Sequence, residues 1–202
     1  MNKWLWLVVF LLPGFDGQAQ NIILNELSAS VTNSQVDNYG EFEDWIEVYN
    51  GSKSDVNLAG WYLSDNPAKP LKWRIPASNL KITTILAGSC LLLWADKDTM
   101  QGPDHLGFSL KKKGEYLFLF RPTKDGPVLE DSVRYGALSP DQSFGRCPDR
   151  NNEWIVFKHP TPGKPNICVP DKKRKVKRIP LPAPADPLLN GPGISRIHCN
   201  IH

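Results

Sequence analysis

The chain has 202 residues, of which 41% are hydrophobic and 22% charged, and its formal net charge at pH 7 is +3. These values are typical of a soluble globular protein that is long enough to bury one hydrophobic core. The 18 prolines and 15 glycines argue against a bundle of long helices and favour short strands joined by turns.

Residues 1–19 have the pattern of a cleavable secretory signal peptide. Lys3 supplies a positive charge, an apolar stretch runs from Trp4 to Leu12, and small residues lead to a predicted cleavage site after Ala19. This apolar stretch of about ten residues is too short to span a bilayer, which needs roughly twenty. We therefore expect a secreted mature chain that begins at Gln20 and lies outside the cell, in a periplasm or on the cell surface.

From Asn21 onward the pattern is that of β-strands. The segment "NIILNELSA" predicts a first strand, and "DWIEVYN" alternates so that Glu47, like Glu43 before it, is expected to face water. The segment "CLLLWA", which begins at Cys90, is apolar on both faces and predicts a covered central strand.

The second half of the domain predicts two hairpins. The segments "GEYLFLF" and "GPVLEDSVRYG" are separated by a loop that contains Asp125 and Gly126, and "DRNN" joins "SFGRCP" to "EWIVF". The domain, residues 20–167, is expected to end at "PTPGKPN", where prolines interrupt any strand ladder. Residues 168–202 are rich in proline and basic residues and are expected to form a disordered tail.

The order and spacing of these segments resemble the lamin tail domain family in its exported bacterial form. The resemblance covers nearly the whole span 21–166. It is carried by these segments: "ILNELSAS", "GEFEDWIEVYN", "VNLAGWYLSDN", "KWRIP", "LLLWAD", "GFSLKKKGEYLFLF", "DSVRYG", "SFGRCPD", "EWIVF" and "PTPGKPN".

The resemblance implies an all-β fold, an immunoglobulin-like β-sandwich of about nine strands. It also implies a non-catalytic adaptor, because bacterial relatives occur in secreted or surface proteins, often beside hydrolases or nucleases, and nuclear relatives contact chromatin and partner proteins. The present sequence departs from nuclear lamins, since no coiled-coil rod pattern occurs in it, and it departs from larger bacterial relatives in carrying no enzyme domain.

One group of acidic residues could bind calcium, which prefers several oxygen ligands converging from a flexible loop. The spacing is not that of an EF-hand, so a solvated loop is the alternative, and no other cofactor is expected. The candidate ligands are Asp37, Glu41, Glu43 and Asp44.

The four cysteines are Cys90, Cys147, Cys168 and Cys199, and export would permit disulfides among them. Cys147 and Cys168 flank the final hairpin, and a bond between them would tie the end of the domain to the outgoing chain. Cys90 is expected to be a buried free thiol. The four histidines are scattered and no Cys-x-x-Cys pair occurs, which argues against a zinc site.

The tail carries a run of six cations that could attract an anionic lipid surface, an acidic polysaccharide or extracellular nucleic acid. The same run resembles a nuclear localisation signal, and a solvated linker without a partner is a further alternative. The cations are Lys172, Lys173, Arg174, Lys175, Lys177 and Arg178.

No sequence motif for a nucleophile, a metalloprotease or a phosphate-binding loop occurs, so the protein is not expected to be an enzyme. We expect a secreted adhesion or scaffold module that binds a protein or polysaccharide partner. The alternatives are a chromatin-binding protein of the nuclear-lamina type and an accessory subunit of a secreted hydrolase or nuclease.

Overall fold

The structure is a computed structural model, and it describes residues 22–168. The predicted signal peptide and the six tail cations lie outside the described residues. Within them there are eleven β-strands and no helix: β1 (Ile22–Ser28), β2 (Trp45–Asn50), β3 (Val56–Asn57), β4 (Tyr62–Ser64), β5 (Trp73–Arg74), β6 (Thr84–Ile85), β7 (Cys90–Trp94), β8 (Tyr116–Arg121), β9 (Val128–Arg134), β10 (Ser143–Arg146) and β11 (Trp154–Phe157). β3, β5 and β6 are only two residues long, and the other eight strands compare with the nine or so that the resemblance implies.

The strands form an immunoglobulin-like sandwich of antiparallel sheets. One sheet has the order β11-β10-β1-β2-β7, the other β5-β4-β8-β9, and β3 pairs with β6 in a small third sheet. The core lies between the two large sheets: Leu27 and Ile46 from the first and Leu63 and Leu119 from the second are fully buried in one cluster. Among the described residues, no helix could cross a membrane.

The two predicted hairpins are confirmed. β8 pairs with β9 across the loop that contains Gly126, whose φ of 113° is a backbone conformation that glycine adopts without strain. β10 pairs with β11 in unbroken register from Ser143 to Arg146. The hairpin signals were reliable because they depend on residues that are close in sequence.

Two sequence expectations about burial are wrong. The strand β7 lies at the edge of its sheet, and its first three residues are only half-buried. Glu47 on β2 is fully buried, although alternation placed it toward water. The outer face that Glu47 occupies is covered by residues 158–168, which we call the closing segment; Gly163 of this segment donates its backbone N–H to Glu47 Oε2 at 2.6 Å.

The two large sheets are also joined by buried polar groups at two β-bulges. The extra residue in β1 is Asn25 and the extra residue in β9 is Glu130. Asp131 Oδ2 accepts hydrogen bonds from the Leu24 backbone N–H and from the Arg146 guanidinium, each at 2.9 Å. This ion pair therefore holds the bulge of β1 against the opposite sheet.

Candidate functional site

Strand pairing brings two loops together at one end of the five-stranded sheet. β2 and β7 are antiparallel neighbours, and Trp45 at the start of β2 lies opposite Trp94 at the end of β7. Residues 36–44 lead into β2 and residues 96–105 follow β7, so both loops lie at this end of the sheet. We call them the loop pair. Tyr39 Oη donates to the Gln101 carbonyl at 2.9 Å, which ties one loop to the other.

The second loop contains a buried histidine bound to a carboxylate. His105 is 1% exposed, and its Nδ1 lies 2.5 Å from Asp96 Oδ2. The Asp96 side chain is only 3% exposed, and its Oδ1 accepts the backbone N–H of Asp98 at 2.8 Å. Both oxygens of Asp96 therefore have partners, and its carboxylate fixes the orientation of the imidazole ring.

The first loop places a second carboxylate beside this pair. One ligand-type atom each of Asp37, Asp96 and His105 lies within 4.8 Å of the others. Asp37 is 7% exposed, and its Oδ1 accepts the backbone N–H groups of Tyr39 at 2.8 Å and Glu41 at 2.9 Å. Asp37 thus shapes its own loop through one oxygen, and the other oxygen remains available.

Three buried polar atoms of the loop pair have no hydrogen-bond partner among the described residues. They are Asp37 Oδ2, His105 Nε2 and Gln101 Oε1. Gln101 is oriented by its amide nitrogen, which donates to Glu41 Oε2 at 2.7 Å. Because buried polar atoms in folded proteins nearly always have partners, three unpartnered atoms on two hydrogen-bonded loops mark a candidate ligand site.

The predicted calcium ligands do not all converge. Asp37 lies in the cluster, whereas Glu41 is exposed and its carboxylate binds Gln101. Asp44 accepts the Val31 backbone N–H at 3.4 Å, and burial raises its pKa to about 6. Burial and the neighbouring carboxylates, Asp96 first, raise the pKa of Glu43. The negative charge of the loop pair is therefore concentrated, but only one of the four residues shares a cluster with His105.

Asp96 and His105 were missed by sequence reasoning. They are separated from Asp37 by more than fifty residues, and histidine and aspartate nine residues apart match no metal-binding motif. The signal that could have found them is structural, since the pairing of β2 with β7 places their flanking loops side by side.

The loop pair also exposes apolar side chains. Met100 is 92% exposed, Tyr39 59%, Phe42 49% and Val36 39%. Single exposed apolar residues are normal on protein surfaces, but four on two linked loops are typical of a contact surface. Among the charged residues of the same loops, Glu41, Asp98 and Lys97 are exposed and Glu43 is half-buried, so this surface is apolar with a small excess of negative charge.

A second buried polar cluster lies under the closing segment. Glu47 Oε1 accepts the Asn25 amide at 2.8 Å, and Glu26 accepts the Thr161 backbone N–H at 3.1 Å and the Ser143 hydroxyl. Burial raises the pKa of Glu47 to about 7 and also raises that of Glu26. We call this group the closing-segment cluster.

Cys147 and Cys168 are joined by a disulfide with a Cα to Cα distance of 5.6 Å. The bond connects the end of β10 to the last described residue. Cys90 is a free, half-buried thiol. Burial and the adjacent Glu47 carboxylate raise the pKa of this thiol, which therefore stays protonated and unreactive at neutral pH.

Comparison with known families identifies the family of the chain. The family model of the lamin tail domain matches residues 17–137, more than half of the sequence. Comparisons with curated proteins and with solved structures each found no match. Lamin tail domains are immunoglobulin-like modules that are not known as catalysts. The match ends before β10 and β11, yet β10 pairs with β1 and completes the same sheet. The fold and the family match together show that this chain belongs to the lamin tail domain family.

Proposed function

We propose that the protein is a secreted, non-catalytic adhesion or scaffold module that binds a partner protein through the loop pair. The observation that supports the proposal is a group of exposed apolar residues on two loops joined by a hydrogen bond: Val36, Tyr39, Phe42 and Met100. Immunoglobulin-like modules present loops on a rigid sandwich, and binding residues are concentrated on such loops.

The chemistry of the surface indicates the kind of partner. Aromatic residues and methionine are enriched at protein interfaces, and the carboxylates around them favour a partner with a basic surface. Glu43 illustrates the charge, because burial and, after it, the neighbouring carboxylates raise its pKa. A partner that brings lysines or arginines would relieve this repulsion.

Two observations support export. The first 19 residues have the three-part pattern of a signal peptide. The Cys147–Cys168 disulfide is the second, since disulfides are typical of oxidising compartments and rare in the cytosol. Fractionation tests this part: the mature protein should begin at Gln20 and be recovered from the medium, the periplasm or the cell surface. Recovery of uncleaved chain in the cytosol or nucleus would contradict it.

The binding surface is tested by site-specific photocrosslinking with the full chain. A photoreactive amino acid at Tyr39 should capture a defined partner on the producing cells, whereas one at Leu80 should not, because Leu80 is as exposed but lies on another loop. The Tyr39→Ser, Phe42→Ser double variant should then weaken binding of that purified partner at least tenfold, as expected for interface anchors worth about 1.4 kcal/mol or more.

The matched control is the Leu80→Ser, Leu86→Ser double variant, which removes two similarly exposed apolar side chains elsewhere. It should leave binding unchanged. Equal losses in the two double variants would contradict the loop-pair proposal. Deletion of Lys172 to Arg178 tests the basic tail separately: loss of binding in that deletion alone would move the partner site to the tail.

A further inference from the structure

The unpartnered atoms of the loop pair are all hydrogen-bond acceptors in the arrangement that the structure gives. A neutral imidazole carries one proton, and the Asp96 carboxylate at 2.5 Å holds it on His105 Nδ1. His105 Nε2 then presents a lone pair. Asp37 Oδ2 and Gln101 Oε1 present further lone pairs. Buried acceptors without a protein donor are satisfied by a bound cation or by a buried water molecule. A histidine whose Nδ1 is held by a carboxylate is the arrangement typical of a metal ligand.

A second proton on His105 does not resolve the arrangement. It would turn Nε2 into a donor, but Nε2 has no acceptor within hydrogen-bond distance among the described residues. The imidazole and the Asp37 carboxylate thus lie close together without a hydrogen bond between Nε2 and Oδ2. A cation bound about 2.1 Å from each ligand atom joins atoms up to roughly 4.2 Å apart. A ligand-type atom of Asp37 and one of His105 lie within 4.8 Å of each other, so a small shift of the loops is enough to bring them into this range.

We propose that Asp37 and His105 bind a divalent transition-metal ion of the Zn²⁺ class, with Gln101 Oε1 as the candidate third ligand. Asp96 is a positioning residue, because a carboxylate that holds Nδ1–H turns Nε2 toward the metal, as is usual for metal-binding histidines. The imidazole nitrogen distinguishes this site from a calcium site, since Ca²⁺ takes oxygen ligands.

The site links the two loops rather than serving catalysis. Asp37 belongs to the loop before β2, and His105 belongs to the loop after β7. His105 is 1% exposed, so a substrate cannot reach the metal without the loops opening. The proposal does not depend on the partner surface, because the metal can be measured without any partner.

Titration calorimetry of the purified full chain after treatment with a chelator tests the site, with Zn²⁺ alone as the probe. One Zn²⁺ should bind per chain and raise the melting temperature, and the chelator should reverse both effects. His105→Gln and Asp37→Asn should each weaken binding more than about 100-fold, and Asp96→Asn roughly 10- to 100-fold, the usual range for an outer-shell carboxylate.

The matched control uses the other histidines. The chain has four, and the triple variant His159→Gln, His198→Gln, His202→Gln keeps only His105. It should bind Zn²⁺ as tightly as the natural chain. In this variant, nitrogen NMR of the single imidazole should show a shift of Nε2 on Zn²⁺ addition while Nδ1 keeps its proton, a result that does not depend on the folding of a site variant.

Three outcomes would overturn the proposal. They are the absence of binding at about 100 μM Zn²⁺, loss of binding in the triple variant, and Ca²⁺ binding more tightly than Zn²⁺ at the same residues. A chain that binds no Zn²⁺ could still crosslink to its partner at Tyr39, and a chain without a partner could still bind Zn²⁺.

Discussion

The two buried polar clusters of this protein use similar side chains but satisfy them differently. In the closing-segment cluster, both carboxylate oxygens of Glu26 and both of Glu47 accept hydrogen bonds from the protein itself. In the loop pair, Asp37 and His105 each keep one buried polar atom without a partner. The difference teaches that burial of charge alone does not mark a functional site. The satisfied cluster holds the fold together, and the unsatisfied one has capacity for a ligand.

The largest expected effect comes from the satisfied polar groups between the sheets. Arg146→Met should lower the free energy of unfolding by about 3–5 kcal/mol, because it leaves the buried Asp131 carboxylate without its charged partner. Urea unfolding measures the change. The control is Arg134→Met, which removes an exposed guanidinium over the Tyr116 ring and should cost about 0.5–1 kcal/mol. Equal effects of the two substitutions would remove the structural role assigned to the Asp131 pair.

Removal of the disulfide should have the second-largest effect on the free energy of unfolding. It closes a loop with a sequence separation of 21 residues, for which chain entropy predicts a contribution of about 3 kcal/mol. The Cys147→Ser, Cys168→Ser double variant should lose this amount and become insensitive to added reductant. Cys90→Ser is the control, since its thiol is free and the natural disulfide would remain. A natural chain that reductant does not destabilise would contradict the prediction.

The third prediction concerns pH. The pKa of Glu47 in the folded protein is raised to about 7 from 4.5, so the folded state holds this proton more tightly than the unfolded state between these values. The free energy of unfolding should therefore fall as pH rises from about 5 to about 8, by an amount on the order of 3 kcal/mol.

The Glu47→Gln variant separates this effect from other groups. It cannot titrate, so its stability should fall much less over the same pH range. Asp44, whose pKa is raised to about 6, contributes with the same sign in both proteins and cancels in the comparison. Denaturant unfolding at several pH values gives the two slopes. Parallel slopes would show that Glu47 does not carry the pH dependence.

The smallest effect on the free energy of unfolding should come from the unpartnered polar atoms of the loop pair. In the presence of a chelator, Asp37→Asn should change stability by no more than about 0.5 kcal/mol, because the lost oxygen has no partner and the remaining one still accepts two backbone N–H groups. The same substitution in the presence of Zn²⁺ should abolish the metal-dependent gain. A large loss in chelator would mean that Asp37 Oδ2 is structurally satisfied, and the contrast between the two clusters would fail.

Local features of the fold were predictable from the sequence, and features that depend on distant segments were not. The hairpin β8–β9 followed from alternation and from Asp125 and Gly126. The burial of Glu47 could not be predicted, because the closing segment that covers it comes more than a hundred residues later and has no strand period. The segment beginning at Cys90 was apolar enough for a central strand, yet it lies at an edge where its first residues are half-buried.

The candidate site shows the same limit. Asp37 could be named because several carboxylates follow it in a short loop. His105 could not, since its role depends on the lateral pairing of β2 with β7 and on the orientation given by Asp96. Sequence spacing identifies ligands that share one loop. It is uninformative when the pairing of two strands brings two distant loops together.

The pairing of β1 with β10 sets the order in which this protein can mature. β1 is the first strand of residues 22–168 to be synthesised, but its hydrogen-bonding edge that faces away from β2 stays open until Ser143–Arg146 is available. Such a long-range closure makes folding slow, because most of the chain must be present before the central sheet is complete. For a chain that is exported as proposed, late closure is an advantage, because the central sheet cannot be completed, and the fold cannot block passage across a membrane, until most of the chain has been made.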